Sequence, residues 1–266
     1  MRSKRKQRQA KKNRVGYAIL FAVVIIAAIF GWLFYQAKSE KIVLDPESNC
    51  PLTGRYPVTA ILIDTTDSLS RDQALYVNRV ITQYIRNAQK YEKLSLYFLN
   101  ENPAEISANL SICNPGDGSD ANQLTSNTKM IRDRWEEQFM SRLASQLLTL
   151  ETVEEGEMSP ILEGMKFVST DAFVGLEASQ KKLFVVSDLL QYSPVISHYN
   201  NRYDISDDYF VREVDNLLPH LQGVSVELFY VTRPNYRGNQ TNKHIMFWEK
   251  VVNRSGGILS QIHMVK

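Results

Sequence analysis

The sequence has no HExxH pair, no G-x-S-x-G elbow and no glycine-rich phosphate loop. The spacings that zinc hydrolysis, acyl transfer and nucleotide phosphate binding require are therefore missing. His198, His220, His244 and His263 show no ligand spacing and read as satisfied surface or core residues. The stretch GDGSD (116–120) lacks the later acidic ligand of a calcium loop and reads as a turn. Cysteine is scarce, with Cys50 and Cys113 alone, so a disulfide-rich scaffold is excluded. No internal repeat is present, which excludes a solenoid.

Acidic residues are absent from the first 14 positions, eight of which are basic. The remainder, residues 15–266, holds 23 basic against 29 acidic side chains, a charge of about −6. Charge of either sign is absent from the 21 residues VGYAILFAVVIIAAIFGWLFY (15–35), long enough to span a bilayer. A basic flank beside an apolar span predicts a cytoplasmic N-terminus rather than a nucleic-acid arm, and no nucleic-acid partner is expected. A cleaved signal peptide has a shorter apolar core and a small-residue cleavage site, whereas FYQAKSE is a poor site. The segment reads as an uncleaved signal anchor, with Trp32 and Tyr35 at the interface. Ala27 and Gly31 form a small-xxx-small pair, a pattern common in apolar helices. The expected organisation is a basic cytoplasmic tail (1–14), a transmembrane anchor (15–35), a tether (36–54) and one domain (55–266) outside the cytoplasm. A bacterial inner membrane, with the domain in the periplasm, is the favoured setting.

Within the domain, short apolar runs alternate with helical patterns. PVTAILI (57–63) reads as a buried strand ending at Asp64. Ser70 and Gln73 make a capping box that opens a helix carrying Ala74, Val77, Ile81 and Ile85. Strands are expected over 94–100 and, antiparallel to it, 104–113. A long helix follows in which Ile131, Trp135, Phe139, Leu143 and Leu147 step by four. Further expected elements are a helix over 160–173, a strand from 181 ending in Asp188, a helix over 207–219, a strand over 224–231, a helix over 241–254 stopped by Gly256 and Gly257, and a last strand over 258–265. Strands alternating with helices predict a mainly parallel sheet covered on both faces.

Asp64, Thr66 and Ser68 occupy alternate positions in the turn after the first strand. Ligands of open α/β sheets bind beyond the carboxyl ends of the strands, and Asp188 ends another strand. Carboxylates with neutral hydroxyls suit a hard divalent cation. At these residues the sequence resembles the von Willebrand factor A (vWA) family, whose metal-ion-dependent adhesion site (MIDAS) uses an Asp-x-Ser-x-Ser turn. In DTTDS the matching residues are Asp64, Thr66 and Ser68. The loop EMSPILEGM matches the family's later hydroxyl with Ser159, and LFVVSDLLQ its final carboxylate with Asp188.

The resemblance covers residues 55–266. It implies a three-layer α/β fold whose sheet is ordered 3-2-1-4-5-6 with the third strand antiparallel. It also implies Mg2+, or Mn2+ or Ca2+, held by Asp64, Thr66, Ser68, Ser159 and Asp188, with one position open for the acidic side chain of a protein partner. Such a domain recognises a protein and turns nothing over; no small-molecule substrate is expected. The sequence departs from the family at Asp67 and Leu189, where glycine is usual, and at Thr66 and Ser159, where the hydroxyls are exchanged. Asp67 either adds a repelling carboxylate beside the ion or faces solvent and caps the turn. On this fold Cys50 and Cys113 fall at the end of the sheet opposite the ion, where a disulfide would tie tether to domain.

Two other readings remain. One is a metal-free scaffold in a membrane complex, in which the same side chains only hydrogen-bond the turns. The other is a metal-dependent phosphoesterase or nuclease, which wants more clustered carboxylates than the strand ends offer and, for a nuclease, a basic groove. The stretch RPNYRGNQTNKH (233–244) follows a strand end on the same rim and is either a partner contact or a solvated loop.

Overall fold

β1 (Val58–Asp64) alternates Val58, Ala60 and Leu62 with Ile61 and Ile63, and all seven of its residues are buried. Such a strand belongs at the centre of a sheet covered on both faces. The protein, seen here as a computed structural model, is described at residues 16–17, 19–32, 42–121, 126–148, 156–199 and 203–266. Six strands form one sheet: β1, β2 (Lys93–Leu99), β3 (Ala108–Cys113), β4 (Lys181–Ser187), β5 (Val224–Val231) and β6 (Ile258–Val265), in the order β3-β2-β1-β4-β5-β6. β3 runs antiparallel to β2 and all other neighbours are parallel. Order and sense are those the resemblance implied.

Helices complete three layers. On one face Ile61 and Ile63 pack with Val77, Ile81 and Ile85 of α1 (Arg71–Arg86) and with Trp135, Phe139 and Leu143. On the other, Val58, Ala60 and Leu62 pack with Met165 and Val168 of α4 (Ile161–Phe173) and Phe247, Trp248 and Val251 of α5 (Asn242–Arg254). The capping box of α1 forms as read, Gln73 N donating to Ser70 Oγ and Ser70 N to Gln73 Oε1. Gly164 lets α4 approach β2 closely, because a Cβ there would lie 2.7 Å from Leu99 Cδ1.

Two expected helices are less regular than the sequence suggests. The stretch after Asn127 is α2 (Thr128–Trp135), a π turn (Glu136–Met140) and α3 (Ser141–Leu147). A step of four residues overshoots the 3.6-residue turn by about 40°, so a straight helix would carry the apolar stripe around its axis. The wider π turn takes up the drift. The region expected as a helix over 207–219 holds only a helical turn at Asp207–Tyr209, a π turn at Phe210–Val214 and a 3-10 turn at Asp215–Leu217. Pro219 disfavours a helical Leu218.

The chain divides into two units, Met1–Val43 and Leu44–Lys266. The second begins inside the expected tether, since residues 44–51 close a turn clipped to β3 by the Cys50–Cys113 disulfide, with Cys113 N donating to Ser48 O at 2.7 Å. In the first unit residues 19–32 are helical with exposed apolar side chains. Among the described residues no helix is long and apolar enough to cross a membrane. The basic tail and residues 15, 18 and 33–35 of the expected anchor lie outside the described residues.

Candidate functional site

The parallel register of β1 and β4 pairs Ile63 with Val186, so the next residues, Asp64 and Ser187, leave the sheet side by side. Ser187 Oγ donates to Asp64 Oδ2 at 2.6 Å. Ser159, in the loop entering α4, donates to the same oxygen at 3.1 Å. The turn after β1 supplies Oδ1 with two donors, Thr66 N at 3.0 Å and Thr66 Oγ1 at 2.7 Å. Asp64, Thr66, Ser159 and Ser187 thus converge in a buried cluster in which one carboxylate takes four donors from protein.

Asp188 is also buried, at 2% exposure, but turns to other partners. Oδ1 accepts from Leu190 N at 2.9 Å, and Oδ2 accepts from Arg233 Nε at 2.9 Å. The guanidinium of Arg233 continues to the carbonyls of Ser68 and Asp67, the latter at 3.4 Å, so it bridges the ends of β4, β5 and the first turn. Gln240 holds the arginine from behind, accepting from Arg233 N at 2.7 Å while its amide donates to Asp188 O at 3.0 Å. Ser68 is exposed and meets this cluster through its carbonyl, whereas Asp67 is half-buried.

Leu189 shows how the chain manages without the usual glycine. Its φ is +61°, the left-handed conformation that costs a side-chain-bearing residue about 1 kcal/mol or more. Its carbonyl is held by Trp248 Nε1 at 3.0 Å and His244 Nε2 at 2.9 Å, and its side chain is wholly buried. Tyr230 Oη, 2.6 Å from His244 Nδ1, completes the clamp, and His198 Nδ1 lies 3.0 Å from His244 Nε2. Trp248 Nε1 also lies 3.2 Å from His244 Nε2, and His198 Nδ1 lies 3.3 Å from the Leu189 carbonyl, so indole and both imidazoles converge on that one acceptor.

Burial and the neighbouring Asp64 charge push the Asp188 carboxyl up to about 6, against the opposing pull of Leu190 N–H and Arg233. Burial drives His244 down to about 4, and burial with the adjacent His244 drives His198 well below its ordinary value. A histidine neutral in the fold contributes stability that is full above its unfolded value of about 6.5 and is lost as pH falls toward its folded value. For His244 the loss between about pH 6.5 and 4 amounts to about 3 kcal/mol. Asp188 acts in the opposite sense, its raised value adding stability as pH falls below about 6. The two are separated by urea denaturation of wild type and His244→Asn: the stability difference between them is expected to shrink by about 3 kcal/mol from pH 7 to pH 4. A difference independent of pH would refute the neutral clamp.

A divalent ion at this rim would need oxygen donors converging on one point. Among the described residues no group of three His, Cys, Asp or Glu side chains is placed to hold a metal. Thr66 and Ser159 offer buried hydroxyls, but Ser68 is exposed with its carbonyl taken by Arg233, and Asp188 spends one oxygen on a guanidinium. As arranged, these residues do not fit the ion that the five-residue set requires, because Arg233 supplies the positive charge at Asp188.

Beside the cluster, Thr66, Asp67, Glu157 and Ser159 with Tyr192, Tyr199 and Tyr236 line a cleft of about 230 Å³. The three rings meet edge to face, Tyr192 to Tyr199 at 5.7 Å and Tyr199 to Tyr236 at 5.1 Å. Sequence reading placed Arg233 and Gln240 on the rim within the 233–244 stretch and His198 and His244 among satisfied residues, as found, but assigned no contact to them and did not single out Ser187. The available signal was positional: Arg233 lies just past the end of β5, the neighbour of β4.

Strand order, the antiparallel third strand and the carboxylate–hydroxyl turn after the first define an α/β domain of vWA-like type. No family model and no curated protein matches the chain. Among solved structures it is similar to an aerotolerance-related membrane protein from Bacteroides fragilis, at 11% identity and TM-score 0.39, over 79% of this chain and 92% of that one. A conserved hypothetical protein, BatB, from Bacteroides thetaiotaomicron shares 12% identity at TM-score 0.41, over 79% and 90% of the two chains. The ArnB paralog VWA2 of Sulfolobus acidocaldarius shares 10% at TM-score 0.44, over 81% of this chain and 44% of its own. At these values the likenesses add nothing to what the strand order says.

Proposed function

We propose that this is a membrane-anchored, vWA-like scaffold domain that binds protein partners outside the cytoplasm, with the MIDAS-like rim held by an internal cation in place of a divalent metal. The observation that carries the reading is Arg233, whose Nε sits 2.9 Å from Asp188 Oδ2 while the guanidinium bonds the first turn. A buried carboxylate needs a compensating charge, and a covalently attached guanidinium with five fixed donors meets that need without dehydrating an ion. Recognition rather than turnover is the proposed activity. The Cys50–Cys113 bridge supports an oxidising compartment, and the uncharged stretch 15–35 supports the anchor.

The test is the melting temperature of the full chain in mild detergent, with EDTA and then with millimolar Mg2+ or Mn2+. Wild type is expected to melt within about 1 °C in both. An ion at a hundredfold excess over Kd would add about 2.7 kcal/mol, or about 5 to 10 °C for a domain of this size. A rise of that size, abolished by Asp64→Ala, would overturn the reading and restore metal-dependent binding.

A further inference from the structure

The stretch RPNYRGNQTNKH ends up as one wall of a groove of about 800 Å³ at the carboxyl ends of β5 and β6. The first turn of α1 forms the opposite wall, and Tyr230 and Met264 form the floor. The walls are fixed to each other: Gln73 Nε2 donates to Thr232 O at 3.0 Å, and Arg233 holds the Ser68 carbonyl. A pocket braced in this way is formed before anything binds.

The charged side chains that line it have one sign. Arg233, Arg237 and Lys266 line it, and no acidic side chain does. Arg233 is engaged with Asp188, whereas Arg237 is exposed and has no ion pair among the described residues. The groove continues between α1 and β6 into a second of about 580 Å³ that shares Met264 and Lys266. Along this continuation Leu75 and Met264 are 53% and 45% exposed, with Arg79 and a single acid, Asp72, beside them.

We propose that this groove takes an extended peptide segment of a partner protein that carries carboxylates next to apolar side chains. The carboxylates meet Arg237 and Lys266, and the apolar residues cover Leu75 and Met264. Arg237 and Lys266, which have no ion pair among the described residues, stand beside exposed apolar side chains along the joined grooves and match that composition; a lipid headgroup would use the charge but not the length of the groove. The proposal rests on the domain being a partner-binding module. It does not depend on whether an ion binds at Asp64, and the melting experiment reports on that separately.

The test uses the full chain in mild detergent with EDTA, and a short fluorescein-labelled peptide of mixed Glu and Leu followed by anisotropy. Control peptides replace every Glu by Lys or every Leu by Ser. Binding is expected for the Glu/Leu peptide, much weaker for the Ser version and absent for the Lys version. High salt and Arg237→Glu should each weaken it about tenfold, since one well-placed charge contact is being lost or screened. Leu75→Ser should weaken it without changing the melting temperature. Equal binding of the Glu and Lys peptides, or indifference to Arg237→Glu, would overturn the proposal. So would absence of peptide binding with Arg237-dependent capture of phosphatidylglycerol vesicles, which would assign the groove to lipid.

Discussion

Arg233→Ala is expected to destabilise the domain by about 3 to 5 kcal/mol near pH 7.5, because it strands a carboxylate that is 2% exposed without its counter-charge. The Ser68 and Asp67 carbonyls lose a donor in the same step. The pH dependence follows from Asp188, whose folded value is already raised by burial and by Asp64. Removal of the guanidinium takes away an attraction that lowers that value, so it rises further. A carboxyl raised in the fold contributes stability that is complete below its unfolded value of about 4 and is lost as pH rises through its folded value. The deficit of Arg233→Ala should therefore be largest above about pH 7 and small near pH 4. Pairing Arg233→Met with Asp188→Asn should recover most of it, because two neutral groups leave no buried charge. Urea denaturation of wild type and the two variants at both pH values checks this. A loss under about 1 kcal/mol, or one that is the same at both pH values, would show that Arg233 does not neutralise Asp188.

Conversion of Cys50 and Cys113 together to serine is expected to cost about 2 to 4 kcal/mol. The bridge closes a loop of 63 residues, for which the chain-entropy argument gives about 4 kcal/mol. The Cys113 side chain is wholly buried, and the 44–51 turn meets β3 through the bridge and through Cys113 N to Ser48 O. Loss of the bridge should thus lower the urea midpoint and also open residues 44–57 to proteolysis before the rest of the domain. A doubly substituted chain that matches wild type in midpoint and in cleavage pattern would show that the packed turn holds itself without the bridge.

Asp64 and Asp188 were legible as rim residues because an apolar run that ends in a carboxylate marks a strand end, and parallel strands end on one side. Ser159 was legible only through the family pattern. Its contact with Asp64 spans 95 positions and no local rule connects them. Ser68 illustrates the converse: the alternate spacing of Asp64, Thr66 and Ser68 is local and plain, yet the turn leaves the third residue exposed and uses its carbonyl instead. Leu189 was readable as an anomaly where glycine is usual. That its left-handed backbone would be held by Trp248, His244 and Tyr230 depended on α5 and β5 closing over β4.

By itself the sequence determined the layer architecture. Runs with period two, helical stripes and capping residues act over a few neighbouring positions, and they fix which segments become strands, which helices cover them and where the carboxylates leave the sheet. The tertiary structure alone decided what those carboxylates do. Arg233 reaches Asp188 across 45 residues and Ser187 reaches Asp64 across 123, so the balance of charge and hydrogen bonds at the rim exists only once β1, β4 and β5 lie side by side. Electrostatics and hydrogen bonding depend on distance in space, and a sequence records distance along the chain.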